Sequence, residues 1–128
     1  MNAFFEMRCV CKSYPMAGEE MQVLKNVCLE MDEGEYLSVL GPSGSGKSTL
    51  MNIIGWLDVA TSGLYVLHGR EISETSEAEL AAIRSREIGF IFQNSQLLPR
   101  LTAQKNVELP LEIKGAPREQ RRQAAREM

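Results

Sequence analysis

GPSGSGKSTL, residues Gly41 to Leu50, lies between the apolar run YLSVL (Tyr36 to Leu40) and a helical pattern that starts at Leu50. It meets the pattern G-x-x-x-x-G-K-S/T at Gly41, Gly46, Lys47 and Ser48, and each position has a chemical reason. Glycines let the backbone pass close to a ligand and adopt positive φ at little steric cost. The successive N–H groups from about Gly44 to Thr49 then point inward as a nest for phosphate oxygens. The following helix directs its positive end at the same anion. Lys47 is suited to reach between β- and γ-phosphates, and the Ser48 hydroxyl to ligate Mg²⁺. The expected contacts of a nucleotide are therefore Gly41, Ser43, Gly44, Ser45, Gly46, Lys47, Ser48 and Thr49. A merely flexible glycine-serine turn would require neither the lysine nor the hydroxyl.

The flanks support a strand–loop–helix unit. YLSVL is short, nearly continuous and bounded by turn residues, the pattern of a strand buried on both faces. Leu50, Ile53, Ile54 and Leu57 fall on one face of a helix, which TSG at Thr61 to Gly63 ends. Upstream, Phe4 to Lys12 and Val23 to Met31 read as strands. Between them, Ser13 to Glu20, with Pro15 and Gly18, reads as a loop. Downstream, Leu64 to Leu67 and the turn HGR suggest another strand, and Ser76-x-x-Glu79 is a capping box opening a helix through about Arg86. IGFIF, Ile88 to Phe92, reads as a second buried strand, and Thr102 caps a short helix ending near Pro110. The last segment places Pro117 at a first helical position, and its apolar residues are Ala124, Ala125 and Met128. It stops without glycine, asparagine or proline, and a helix cut in its middle is favoured over a frayed end.

A chain of 128 residues with 44% apolar and 24% charged residues fits one globular domain with a real core. A net charge of −3 does not suit a binder of nucleic acid. No secretory signal is read at the N-terminus, and no apolar run approaches the roughly 20 residues that span a bilayer. Work at a membrane would need another anchor. Cys9, Cys11 and Cys28, an odd number, point to reduced thiols in cytosol. Cys9 and Cys11 lie two apart on a strand, which reads as two small side chains facing the core better than as half a metal site. His68 reads as a turn residue, and metal binding by these groups is disfavoured.

From Val10 through the GPSGSGKST segment to TSG, the sequence resembles the nucleotide-binding domain of ABC transporters, and IGFIFQNSQLLPRLTAQKNVELPL resembles that family's Q-loop region. The resemblance runs from about Phe4 to the last residue. PSGSGKSTLMNIIG and LTAxxNVELPL bring it closest to the ATPases of lipoprotein release and macrolide export. It implies an α/β fold: a P-loop NTPase (RecA-like) core with the family's N-terminal antiparallel β subdomain, incomplete at the C-terminus. Residues 1–128 would be a single partial domain ending at the start of the helical subdomain. Tyr14 takes the place of the A-loop aromatic that stacks on adenine, and Gln93 that of the glutamine contacting Mg²⁺ and the attacking water. Lys47 and Gln93 are then the residues acting on the reaction, and Ser48 and Gln93 the metal ligands. Asn94 to Leu101 would face the coupling helix of a transmembrane permease. The implied cofactors are ATP and Mg²⁺. The implied setting is the cytoplasmic face of the inner membrane, held there by the partner, with a homodimer of nucleotide-binding domains when full length. Ala60 and Trp56 depart from the pattern where relatives carry proline and a small or aliphatic residue, and neither touches the chemistry.

The family's LSGGQ signature, the aspartate and glutamate of its second nucleotide motif and its switch histidine all follow the Q-loop, and none is found here. His68 precedes the Q-loop and cannot be the switch. Single positioned groups are worth about 10³–10⁵ in phosphoryl transfer, so these residues alone are expected to bind ATP without turnover. YLSVL and IGFIF are expected to expose apolar faces. A non-hydrolysing nucleotide-binding module is the alternative reading. A P-loop ATPase of DNA repair has only Arg118, Arg121, Arg122 and Arg126 in its favour, which a solvated helix face explains.

Overall fold

A computed structural model describes residues 3–73, 75–94 and 96–127 of the chain. Ser95, within the segment expected to face a permease, and Met128, in the expected last helix, lie outside the described residues. The chain divides into two compact units, Met1–Ile88 and Gly89–Met128.

In the first unit, β1 (Phe5–Met16), β2 (Glu19–Met31), β3 (Ser62–Leu67) and β4 (Arg70–Glu71) form an antiparallel sheet in the order β2-β1-β3-β4. Helices α1 (Lys47–Ile54) and α2 (Glu77–Glu87) complete it. β1 and β2 meet at a two-residue turn, Ala17 and Gly18, with φ 49° and 91°. Two positive φ values twist a tight hairpin in the sense its strands require. The segment Ser13 to Glu20, expected as a loop, is thus strand on either side of that turn. Pro15 is tolerated because β3 pairs with β1 only as far as Cys11, so the far end of β1 has an open edge. His68 and Gly69, φ 49° and 74°, make the same kind of turn between β3 and β4.

The parity of β1 changes at Cys9. Met7 pairs with Leu29 and Val10 with Val27, so β1 spends three steps against two on β2. That is a bulge, and Cys9 holds φ 48° within it. Phe5, Met7 and Val10 are consequently the buried residues, while Cys9 is exposed and Cys11 half-buried. The core-facing pair expected at Cys9 and Cys11 does not exist, because one inserted residue turns Val10 inward in their place. Gly63 on β3 makes the bulge possible: a Cβ there would stand 2.6 Å from Cys9 O and from Val10 Cα, and its φ is 98°.

The sheet residues Phe5, Met7, Val10, Leu24, Tyr65 and Leu67 share a core with Ile53 of α1, Leu80 of α2, Trp56 and Ile72. Tyr65 donates from its hydroxyl to Ile54 O at 2.9 Å. α1 runs only from Lys47 to Ile54 and closes at Gly55, followed by Trp56 at φ 55°. It therefore ends well before TSG, and Leu57, the expected fourth residue of its apolar face, lies beyond it and 45% exposed. α2 opens with the anticipated capping box: Ser76 accepts from Glu79 N–H, and the Glu79 carboxylate accepts from Ser76 N–H.

YLSVL and IGFIF, expected as buried strands, are not strands. Among the described residues no strand pairs with either, and a strand exists only by hydrogen bonding to a neighbour. Tyr36, Leu40 and Ile91 are 92%, 90% and 102% exposed, so the expected apolar exposure is present.

In the second unit, Thr102 accepts from Lys105 N–H at 3.2 Å and opens α3 (Ala103–Ile113). The helix passes through Pro110, its expected end, and runs three residues further. Proline there removes only the donor to Asn106 O, with less than a turn of helix to follow. Gly115, φ 77°, then closes α3 by two bonds, Gly115 N–H to Glu112 O and Ala116 N–H to Leu111 O. α4 (Arg118–Glu127) follows, with Pro117 just outside the helix, where its carbonyl accepts the first helical bond from Arg121. Arg121 also pairs with Glu112 at 3.0 Å and ties the two helices together.

Gly63→Ala is expected to destabilise the first unit by at least about 1–3 kcal/mol from the backbone conformation alone, read by urea unfolding. Burial pushes the Tyr65 hydroxyl up to about 12. Its contribution is therefore complete below the unfolded tyrosine value of about 10 and lost as pH rises through 12, by roughly 2–3 kcal/mol. In Tyr65→Phe that alkaline loss should shrink.

Candidate functional site

The phosphate-loop residues lie together at the start of α1. Gly46 caps the helix with φ 89° and provides no side-chain hydrogen bond, and the first turn carries no acidic residue. The leading N–H groups of α1 are thus left open to an outside acceptor. Gly44, φ 78°, and the turn bond from Ser45 N–H to Pro42 O bend the loop before it. Lys47 Nζ folds back over the loop and donates to Gly41 O at 2.7 Å, Pro42 O at 2.6 Å and Ser45 Oγ at 3.3 Å. All three acceptors are uncharged, so the ammonium has no countercharge among them. A hollow of about 490 Å³ opens here, lined by Val23, Ser43, Gly44, Gly46, Lys47, Ser48 and Thr49. Substitution is constrained at two glycines. A Cβ on Gly41 would stand 2.7 Å from Ser45 Oγ, and one on Gly46 would stand 3.0 Å from Leu24 Cδ2.

Tyr14 sits in the same unit, on strand β1 rather than on a loop. Its hydroxyl donates to Asp58 Oδ2 at 2.5 Å, and Lys12 Nζ reaches Asp58 Oδ1 at 2.6 Å and Val59 O at 2.7 Å. Lys12 Nζ also lies 4.7 Å from the centre of the Tyr14 ring. Asp58 holds the Tyr14 hydroxyl above its ordinary range, while Thr49 of α1 pulls it the other way. Desolvation acts upward on Asp58, but the hydrogen bonds from Lys12 and Tyr14 together prevail and lower it. Asp58 thus fixes the orientation of the one aromatic ring expected to meet a base, and the tyrosine lies beside the helix that presents the phosphate loop.

Gln93 belongs to the second unit, exposed, at a bend just after Phe92. Phe90 and Phe92 stack, with ring centres 5.6 Å apart and planes 7° from parallel. Beyond Gln93, Leu97, Leu98 and Leu101 are exposed at 63%, 47% and 36%. Asn106 of α3 holds this segment. Its amide nitrogen donates to the carbonyls of Leu98, Leu101 and Thr102, and its oxygen accepts from Leu98 N–H at 2.7 Å.

Sequence reading missed Val23, Lys12, Asp58 and Asn106. Val23 looked like any strand residue, and Asp58 is 44 residues from the tyrosine it holds, with no local pattern joining them. Asn106 lay within the string NVELPL, but a side chain bonded to three carbonyls leaves no mark on spacing.

The family model described as ABC transporter matches residues 24–128. The chain is 54% identical over 116 residues to an uncharacterised ABC transporter ATP-binding protein of Bacillus subtilis, YknY, covering 91% of this chain and 50% of that one. It is 46% identical to the macrolide export ATP-binding/permease protein MacB of Salmonella typhi over all of this chain and 20% of that protein. Among solved structures it is similar to the dimeric post-hydrolysis state of the ATP-binding cassette MJ0796 bound to ADP and Pi. That match has a TM-score of 0.88 and 45% identity, over 96% of this chain and 54% of that one. The chain therefore spans about half the length of the ATP-binding relatives it matches. The antiparallel sheet and its helices fit the N-terminal part of an ABC ATPase cassette.

Asp58→Asn should lower the Tyr14 hydroxyl toward its ordinary value, read from the tyrosine ring signals in an NMR pH titration. In the unsubstituted chain the raised value means that the stability tied to Tyr14 is held below about pH 10 and declines above it.

Proposed function

The chain belongs to the ABC transporter family, and from that membership we propose that it binds MgATP as the N-terminal part of an ATPase subunit that energises a membrane exporter or lipoprotein-release complex. One observation carries the reading: the uncapped, acid-free start of α1 faces a hollow beside a lysine whose partners, among the described residues, are uncharged oxygens. Phosphate oxygens satisfy both features at once, accepting from the open N–H groups and offering the ammonium a charged partner.

In this reading Gly41, Ser43, Gly44, Ser45, Gly46 and Thr49 enclose the phosphates, Lys47 offsets their charge, and Ser48 holds Mg²⁺ through its hydroxyl. The metal, when bound, neutralises charge on the β- and γ-phosphates. Tyr14, oriented by Asp58, offers its ring to the adenine. The amide of Gln93 has a carbonyl for the metal and an NH₂ for water, the two functions its place in the family's pattern implies. Residues 1–128 form one partial nucleotide-binding domain, with α3 and α4 as the start of its helical subdomain. Without the groups that follow the Q-loop in the family, these residues bind ATP but do not turn it over.

The partner is a transmembrane permease that docks on the segment after Gln93. The exposed Leu97, Leu98 and Leu101 support that assignment, and Asn106 holds the backbone of the latter two. Among the described residues no helix is long and apolar enough to cross a membrane, and the attachment we propose is peripheral, at the cytoplasmic face, through the permease. The dimeric state of the similar cassette supports pairing of two nucleotide-binding domains in the full-length protein.

MgATP at 100 times its Kd should stabilise the chain by about 2.7 kcal/mol, read as a rise in melting temperature. Lys47→Ala should abolish that rise, and Cys9→Ala should keep it. Equal rises in both variants would overturn the site.

A further inference from the structure

The three cysteines meet at the bulged part of the β1–β2 hairpin, and two of them are poised for chemistry that the nucleotide site does not use. Cys9, turned outward by the bulge, and Cys28 on the opposite strand are both exposed, with their sulfurs 3.8 Å apart. Cys9 N–H also donates to Cys28 Sγ at 3.1 Å. The paired residues Met7–Leu29 and Val10–Val27 bracket Cys28 directly opposite the bulge, so the backbone fixes this meeting. Cys11 differs. It is half-buried, and its sulfur is engaged by the backbone N–H and side-chain oxygen of Asn26, each at 3.3 Å. Among the described residues no group of three ligating side chains is placed to hold a metal.

We infer that Cys9 and Cys28 are a covalent modification site that forms a reversible intrachain disulfide by exchange with a low-molecular-weight disulfide. The thiolate of one cysteine attacks a sulfur of the small disulfide, breaks its S–S bond and releases one small thiolate. The thiolate of the second cysteine then attacks the protein sulfur of this mixed disulfide and expels the other small thiolate. One S–S bond is broken and one formed, the two protein thiols are oxidised, and the two protons end on the released small thiols. An open groove of about 290 Å³ beside Cys28, edged by Glu6, Arg8 and Glu30, gives the small disulfide room to approach. Cys28 holds the Cys9 thiol above its ordinary range, first through the sulfur–sulfur hydrogen bond and then through charge, which lowers the share of Cys9 present as thiolate. The covalent bond would span 19 positions of chain that include Tyr14 and the Ala17–Gly18 turn.

The test equilibrates the full chain with mixtures of oxidised and reduced glutathione, quenches with acid, alkylates the remaining thiols and maps the peptides by mass. The expected product is a cross-linked pair of peptides joining Cys9 to Cys28, two hydrogens lighter than the separate peptides, with Cys11 alkylated. The oxidised chain should melt at a higher temperature and return to the original value on reduction. Cys11→Ser should leave the cross-link intact, and Cys28→Ser should leave Cys9 carrying a single glutathione. The inference is overturned if Cys11 enters the cross-link, if Cys9 and Cys28 end as separate glutathione adducts, or if both remain alkylatable at every ratio.

Discussion

Gly46 holds φ 89° with its α-carbon pressed against β2, where a methyl group would meet Leu24 Cδ2 at 3.0 Å and Val23 O at 3.2 Å. That contact determines where α1 begins and how near its first N–H groups come to the sheet. A residue with a side chain would have to retreat from the strand, and the hollow lined by Val23, Lys47 and Ser48 would lose a wall. A capping serine or aspartate would also satisfy the helix internally, and the open donors are what the site offers to an anion. In the proposed function, that local cost to helix stability is the source of the binding capacity. Ile53, buried at the far end of this short helix, secures it to the core in compensation.

The bulge at Cys9 plays the corresponding part in the sheet. It places Val10 in the core, sends Cys9 to the surface and draws Gly63 against the β1 backbone. Beyond it, β1 continues to Tyr14, so the ring expected to meet a base is carried by the same strand that builds the core. Asp58 then joins that strand to the segment following α1, through Tyr14 on one oxygen and Lys12 on the other. Two features of the proposed nucleotide site, one for phosphate and one for base, are thereby set by one folded unit.

What could be read in advance was chemistry written in consecutive residues. The glycine-rich turn into α1, the Ser76–Glu79 capping box and the Thr102 cap each depend on neighbours within a few positions, and each stands where the sequence put it. What escaped depended on partners far along the chain. Cys9 and Cys11 have the spacing of a shared strand face, and only the register against β2 reveals the extra residue between Met7 and Val10. Tyr36 to Leu40 and Ile88 to Phe92 have the composition of central strands, but composition describes a preference and pairing needs a neighbour. Ser13 to Glu20 misled in the opposite direction, because Pro15 and Gly18 signal a loop wherever the open edge of a strand is not yet known. Asp58, remote from Tyr14 in sequence, had no signature at all.

Asn106 combines one strength and one weakness. Its side chain clamps the carbonyls of Leu98, Leu101 and Thr102, while Pro110, one turn on, leaves its own backbone carbonyl without the helical donor. The softest rung of α3 is therefore the one from which the leucine loop hangs. The loop bearing Leu98 and Leu101 and the interrupted rung of α3 therefore share one residue, so a bend at that rung would reach the loop through Asn106.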